Sequence, residues 1–250
     1  MTKKFYVISE ARADFITASE IADRILLHEI TWLDEDIINS QREWVSEDSP
    51  GSHLAWTTVS HRAREVGIRV QGHFNGEPGL PDARAARRAI LYVLKQFEPV
   101  DGILLIRDLD DQKERKQGLE QARTTDTSGT RIVVGVANCE RESWVISGFD
   151  PENEDEKQLL GEEQQRLGAN PCLRSHELTA GKSDIALRSP KRVLKVLTGD
   201  NWERQRRCWK ATSLQVLWER GKDNGLVDYL EEIKVHLVPA IIGREVDDEE

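Results

Sequence analysis

The stretch Ile103-Leu104-Leu105-Ile106-Arg107-Asp108-Leu109-Asp110-Asp111 decides how this chain is read. Four consecutive apolar residues with no polar alternation suit a strand covered on both faces, as in a parallel sheet. The run then passes directly into acids. On an extended segment Asp108 and Asp110 point to the same side, because the side-chain period is two. Two carboxylates held a few ångströms apart repel unless a cation lies between them. Hard divalent cations favour such oxygens, and the carboxyl edge of a parallel sheet is where α/β folds bind ligands. The competing reading is that these acids cap the next helix or line a loop.

Working outward, three more apolar runs read as strands: Phe5 to Ser9, Ile68 to Phe74 and Ile132 to Ala137. Helical spacing separates them. Phe15, Ala18, Ala22, Ile25 and Leu26 share one face, and Ala86, Ile90, Leu94 and Phe97 form a second stripe with Asp82 as its N-cap. Gln112 to Arg123 is a charged surface helix. Strand and helix alternation predicts an α/β layer with right-handed crossovers. The segment Trp32 to Trp56 reads as a partly helical insertion. Residues 1–149 are expected to form the α/β domain and 150–187 a charged linker, in which Asp150 to Gly168, rich in Glu and Gln, reads as a solvated helix and loop. Residues 188–244 should form a helical subdomain, opened by Ser189 as cap and Pro190 at the first helical position. There Val193, Leu194 and Leu197 face inward. The last helix, with Leu226, Leu230, Ile233 and Leu237 inward, should be closed by Pro239, and 245–250 is an acidic tail.

The first strand also ends in an acid, in Val7-Ile8-Ser9-Glu10-Ala11-Arg12-Ala13-Asp14. If strands one and three are neighbours, Glu10 meets Asp108 and Asp110 at one sheet edge. Asp14 is divided between metal binding and complementing the dipole of a helix's first turn. A strand ending in Glu, followed by a later apolar strand ending in Asp-x-Asp, resembles Toprim domains over roughly residues 1–145. The stretch Asn138-Cys139-Glu140-Arg141-Glu142-Ser143-Trp144 resembles the Glu-x-Trp segment of a Toprim-like family found in bacterial anti-phage systems. The resemblance extends to Toprim nucleases of the overcoming-lysogenization-defect type, which work beside or fused to ABC-type ATPases.

That resemblance implies a Toprim-like, Rossmann-like fold, a mostly parallel four-stranded sheet flanked by helices, and the residue pattern from Ser189 onward adds a helical C-terminal region. It implies Mg²⁺ or Mn²⁺ as cofactor and phosphodiester hydrolysis of DNA or RNA by an effector of anti-phage defence. It casts Glu10, Asp108 and Asp110 as catalytic and metal-binding residues. Asp14 and Glu142 are further metal candidates, and Lys182 is a candidate lone catalytic cation. It also implies an ABC-type ATPase partner. Two positions depart from the family pattern: Ala11 stands where the Toprim Gly would follow the first Glu, and Gln112 stands where a third Asp would fall. They motivate a second reading, a non-catalytic module that docks on an ATPase or senses a ligand. A small-molecule phosphohydrolase using the same acids is a third.

The chain has 250 residues, 35 basic and 45 acidic, for a net charge of −10. That excludes a generic basic coat for nucleic acid, yet the window Arg188 to Lys210 reverses the sign. Arg188, Lys191, Arg192, Lys195, Arg204, Arg206, Arg207 and Lys210 stand there against Asp200 and Glu203, with Trp202 and Trp209 interleaved. The window is the expected nucleic-acid-binding surface, against the reading of a solvated helix face with core tryptophans. Arg84, Arg87 and Arg88 form a smaller basic patch.

No apolar run approaches the roughly 20 residues of a membrane span, and the N-terminus lacks the pattern of a signal peptide. The expected location is cytoplasmic, with no membrane partner and a homo-oligomer left open. Cys139, Cys172 and Cys208 form no CxxC pair and read as reduced thiols. Gly181-Lys182-Ser183 is not a phosphate-binding loop, because His176 occupies the required Gly position. The six histidines have no metal-ligand spacing, and no Gly-x-Ser-x-Gly elbow occurs.

Overall fold

The computed structural model describes residues 1–49, 52–110, 112–181 and 183–243. Asp111, Lys182 and the acidic tail lie outside the described residues. The chain folds as an α/β protein with a four-stranded parallel sheet flanked by helices and a helical C-terminal region, consistent with a Toprim or Rossmann-like fold. The strands are β1 (Lys3–Ile8), β2 (Arg42–Val45), β3 (Gly102–Asp108) and β4 (Arg131–Ala137), in spatial order β2-β1-β3-β4. β1 pairs in parallel with β2, Phe5 opposite Trp44, and with β3, Ile8 opposite Leu105. Phe5, Val7, Ile8, Leu104 and Leu105 are fully buried, as a sheet covered on both faces requires. Among the described residues no helix is long and apolar enough to cross a membrane. The three cysteines are buried and unbonded.

Two compact units divide the chain. Unit 1 comprises Met1–Arg107, Gln112–Gly135 and the stretch from Tyr229. It holds α1 (Arg12–Glu29), α2 (Trp56–Glu65), α3 (Ala83–Gln96), α4 (Arg115–Thr124) and most of the helix Leu226–Ile242. Unit 2 comprises Asp108–Asp111 and Val136–Asp228. It holds α5 (Arg141–Ser147), α6 (Glu154–Leu167), α7 (Pro190–Thr198), α8 (Trp202–Lys210) and α9 (Leu214–Arg220). The helix Leu226–Ile242 is α10.

The expected strand at Ile68 to Phe74 is corrected. Only His73–Phe74 is extended in a ladder, and its partner is Glu77–Pro78 in a small antiparallel hairpin. The reason lies in the turn. Asn75 and Gly76 both take positive φ, 50° and 89°, the Asn-Gly conformation that closes tight hairpins. The fourth sheet strand is β2, inside the segment read as a partly helical insertion. Arg42-Glu43-Trp44-Val45 is too polar to stand out, but it is an edge strand and α1 supports it. Asp23 accepts from Arg42 Nε and Nη2, each at 2.7 Å, and from Trp44 Nε1 at 2.9 Å.

Two cap expectations also change. Asp82 sits at the N-cap position of α3, but with φ 63° and without a side-chain cap bond. Its carboxylate instead holds Arg107 and Arg115, at 3.1 and 2.7 Å. Pro239 does not close α10, which continues to Ile242. The carbonyl deprived of its partner is that of Val235, which is 58% exposed.

The other edge strand is protected from within unit 1. Glu232 of α10 accepts the Val134 N–H at 3.0 Å, which blunts a free sheet edge. Gly135 admits Tyr229 closely: a Cβ there would lie 2.7 Å from the Tyr229 ring. Tyr229 in turn donates to Ala18 O at 2.9 Å. Unit 2 gathers its own core around Trp144, Phe149, Trp209 and Leu217, with Val193, Leu194 and Leu197 of α7 inward as expected. Ser189 caps α7 through the Arg192 N–H.

Asp23→Ala strands three N–H donors of the β2 edge, two on Arg42 and one on Trp44. It should cost about 1–3 kcal/mol in denaturant unfolding, and Asp23→Asn should recover only part of that loss.

Candidate functional site

Within unit 2, the chain leaving β3 is fastened to the chain leaving β4. Leu109 N–H donates to Ala137 O at 2.8 Å and Asp110 N–H to Cys139 O at 3.0 Å. Asp110 adopts a positive φ of 50°, a conformation Asp tolerates better than most residues. Asp108 Oδ1 accepts the N–H of Arg141, the first residue of α5, at 2.8 Å. A helix start has unpaired N–H groups and a positive dipole end, so a carboxylate there is stabilised. Both Asp-x-Asp residues are thus held by backbone that the two apolar strands position.

Glu140 stands immediately before α5 and is 4% exposed. Lys191 Nζ of α7 binds its Oε1 at 2.9 Å, while Oε2 is buried with no hydrogen-bond partner. Burial pushes the Glu140 carboxyl up, Lys191 pulls it down, and the charges of Glu142 and Asp110 push it up again. Burial would lower the pKa of Lys191, but the bond to Glu140 and the charges of Glu140, Glu142 and Asp184 outweigh it and leave it raised. The Cys139 thiol is pushed up to about 11, first by burial and then by Glu140, with Asp110 and Asp108 adding to the effect. Glu142 pairs with Arg141 Nη2 at 3.0 Å. A negative field from Asp108, Asp110, Glu140 and Glu142 therefore surrounds one short stretch of chain.

The same stretch is fixed from below by Asn224, which is fully buried. Its side-chain amide donates to Ser143 O, Ser147 Oγ and Ser175 Oγ, and its backbone carbonyl oxygen accepts from Trp144 Nε1 and Asn138 N. Buried polar groups so fully satisfied specify one arrangement.

The expected residues of unit 1 are engaged locally. Glu10 Oε1 lies 3.1 Å from Arg107 Nη1. Arg107 also stacks over Trp56, at 5.3 Å to the ring centroid. Asp14 Oδ2 accepts the Ala11 N–H at 2.8 Å at the start of α1, which matches the capping side of its divided reading.

The basic window of unit 2 is largely neutralised in space. Arg192 makes a two-pronged pair with Glu163, which is fully buried, and Arg204 makes one with Glu156. Arg207 makes a third with Glu152. Arg188 faces Glu177, Lys195 faces Asp200 and Arg206 faces Glu203. Lys210 is exposed. The acidic residues Glu152, Glu156 and Glu163 come from 150–187: the helix expected between Asp150 and Gly168 is α6, and with the turn before it this helix supplies the counter-charge. Trp209 is 1% exposed and packs edge-on to Trp202 at 5.8 Å, so it offers no free stacking face.

The sequence reading missed Glu140 and the part played by Lys191. The signal for Glu140 was present: Ile132 to Ala137 is a second apolar strand that runs into acids, as Ile103 to Ile106 does. Lys191 could not be paired with Glu140 from spacing, because 51 positions separate them.

Carboxylate oxygens suit Mg²⁺ or Mn²⁺, and the orphaned Glu140 Oε2 marks unmet coordination capacity beside them. Among the described residues, no three His, Cys, Asp or Glu side chains converge as a ready-made shell. The donors therefore fit a cation held by one or two carboxylates and completed by water and substrate phosphate, which is the usual habit of Mg²⁺. No protein-family model matches the chain, and no curated protein or solved structure matches it.

Lys191→Met leaves the buried Glu140 carboxylate uncompensated. The expected cost is about 1–3 kcal/mol, below the value for a fully buried pair because Lys191 is 44% exposed. A raised carboxyl pKa favours the protonated folded state, so the cost should shrink as pH falls towards the range where Glu140 protonates. Thermal melts at pH 8 and pH 5 check this. The variant should lose more at pH 8, and adding Glu140→Gln should remove the difference.

Proposed function

We propose that the chain is a metal-dependent nuclease that hydrolyses phosphodiester bonds of DNA or RNA with Mg²⁺ or Mn²⁺. The observation that carries the reading is the fixed Asp108-x-Asp110 pair beside the buried, half-satisfied Glu140. In this reading Asp108 and Asp110 hold the ion, and Glu142 adds negative charge beside them. A divalent ion bound there would polarise a phosphoryl oxygen and acidify a bound water. Lys191 Nζ lies 2.9 Å from Glu140 Oε1. It balances Glu140, and from there it can offset charge that builds on a phosphate. Because Glu10 is paired with Arg107, the ligand set rests on unit 2. The role of anti-phage effector, an ABC-type ATPase partner and a cytoplasmic location belong to the same proposal, carried by the resemblance to Toprim defence nucleases.

A second reading has its own support. The pairing of Glu10 with Arg107 and the lack of a converged three-acid shell among the described residues favour a non-catalytic module that docks on an ATPase.

The test is Mn²⁺-dependent cleavage of plasmid DNA and of RNA by the wild type and by Asp108→Asn. This variant keeps an oxygen acceptor for the Arg141 N–H and removes only the charge. The nuclease reading expects cleavage to fall at least about a hundredfold, the scale of losing several kcal/mol of charge stabilisation. Equal cleavage by the variant contradicts the assignment, and no cleavage by either chain favours the docking module.

A further inference from the structure

Most of the chain's arginines are paired with carboxylates: Arg42 with Asp23, Arg123 with Glu232, Arg192 with Glu163, Arg204 with Glu156. In a chain with ten more acids than bases this is the expected outcome. One face of unit 1 breaks the pattern. Among the described residues, the guanidinium groups of Arg64, Arg69, Arg84 and Arg88 make no ion pair. Arg64 lies at the end of α2, Arg84 and Arg88 lie on α3, and Arg69 is in the loop after α2. Arg84 and Arg88 are four residues apart and share one helix face, where like charges repel.

The strain of this arrangement is visible at Arg88. Its Nε is buried without a hydrogen-bond partner, and burial followed by the charges of Arg64 and Arg84 pulls its pKa down. In the same unit a cavity of about 200 Å³ is lined by Arg69, Gln71, His73 and Arg87, with Phe74 and Leu91 as apolar walls. Arg84 lies close to this loop: its Cδ is 3.9 Å from where a Cβ on Gly72, between Gln71 and His73, would stand. Arg87 is already neutralised by Asp126 at 2.6 Å, so the unmet charge belongs to the other four. Of these four, Arg69 lines the cavity, and uncompensated guanidiniums gathered this way are what a phosphate ligand relieves, because each offers donors in a planar fork.

We propose that the face formed by Arg64, Arg69, Arg84 and Arg88 binds the phosphodiester backbone of a nucleic acid. The choice of a nucleic acid over another phosphate rests on the nuclease reading above. This face replaces the Arg188 to Lys210 window as the binding surface, because that window spends its charge on Glu152, Glu156 and Glu163. Contacts of this kind position a strand without reading its sequence, so the affinity is independent of sequence and falls steeply with salt.

The experiment is fluorescence anisotropy of a labelled single-stranded oligonucleotide and of its duplex, in EDTA, across a salt series. The proteins are the wild type, Arg69→Ala/Arg84→Ala, and Lys222→Ala as a control for the loss of an exposed positive charge elsewhere. Arg69 and Arg84 are both exposed, so thermal melts should show the double variant folded. The expected result is wild-type binding, a loss of about tenfold or more in the double variant, and a slope of log affinity against log salt smaller by about 2. Lys222→Ala should bind as the wild type. Equal affinity and slope in the double variant overturn the proposal, as does a wild type that binds inorganic phosphate but no oligonucleotide. Binding is read without metal, so the two ideas fail separately. A wild type that binds through these arginines and never cleaves defeats only the nuclease reading. Cleavage that survives Arg69→Ala/Arg84→Ala with unchanged affinity defeats only this one.

Discussion

The parallel ladder between β1 and β3 is the constraint on which the rest of the structure depends. Its paired residues, Val7 opposite Leu104 and Ile8 opposite Leu105, have no solvent exposure on either face. A strand so enclosed cannot carry a charge along its length without a heavy desolvation cost. Charge is therefore displaced to where each strand leaves the sheet, and the sequence obeys this closely. Arg107 and Asp108 end β3, Glu10 follows β1, and Glu140 follows β4. At these exits each charge finds a specific counterpart: Arg107 takes Glu10 and Asp82, Asp108 takes the first amide of α5, and Glu140 takes Lys191.

Charge placement also explains how an acidic chain keeps its basic segments quiet. The sign reversal between Arg188 and Lys210 is real along the sequence and largely disappears in space, because Glu152, Glu156 and Glu163 fold back on it. Two-pronged arginine–carboxylate pairs of this kind fix geometry as well as charge. Arg204 is 4% exposed and also binds Asp150 O at 2.6 Å. These arginines are structural members of unit 2. Among the described residues, Arg64 of α2 and Arg84 and Arg88 of α3 make no ion pair, and that contrast gives them a separate meaning.

Much of this was legible in the sequence. Unbroken apolar runs identified β1, β3 and β4, because burial on both faces leaves a composition signal that needs no context. The inward residues of α1, α7 and α10 followed from helical spacing for the same reason. What escaped depended on contacts distant along the chain. β2 is an edge strand whose Arg42 and Trp44 are satisfied by Asp23, 19 and 21 positions away. Ile68 to Phe74 alternates like a strand, yet the Asn75-Gly76 turn commits its end to a hairpin. Asp108 and Asp110 were found because they follow a strand directly. Glu140 follows a strand in the same way but was passed over in favour of Glu142, and its partner Lys191 was assigned to a nucleic-acid surface by local charge alone.

The central claim is that the acids at the exit of β3 hold a divalent cation. Calorimetric titration of Mn²⁺ into the wild type and into Asp108→Asn/Asp110→Asn tests it without substrate or partner. The account predicts saturable binding in the wild type that disappears in the variant while the melting temperature stays close to that of the metal-free wild type. Equal binding by both chains, or no binding by the wild type even with a phosphodiester oligonucleotide present, would contradict it.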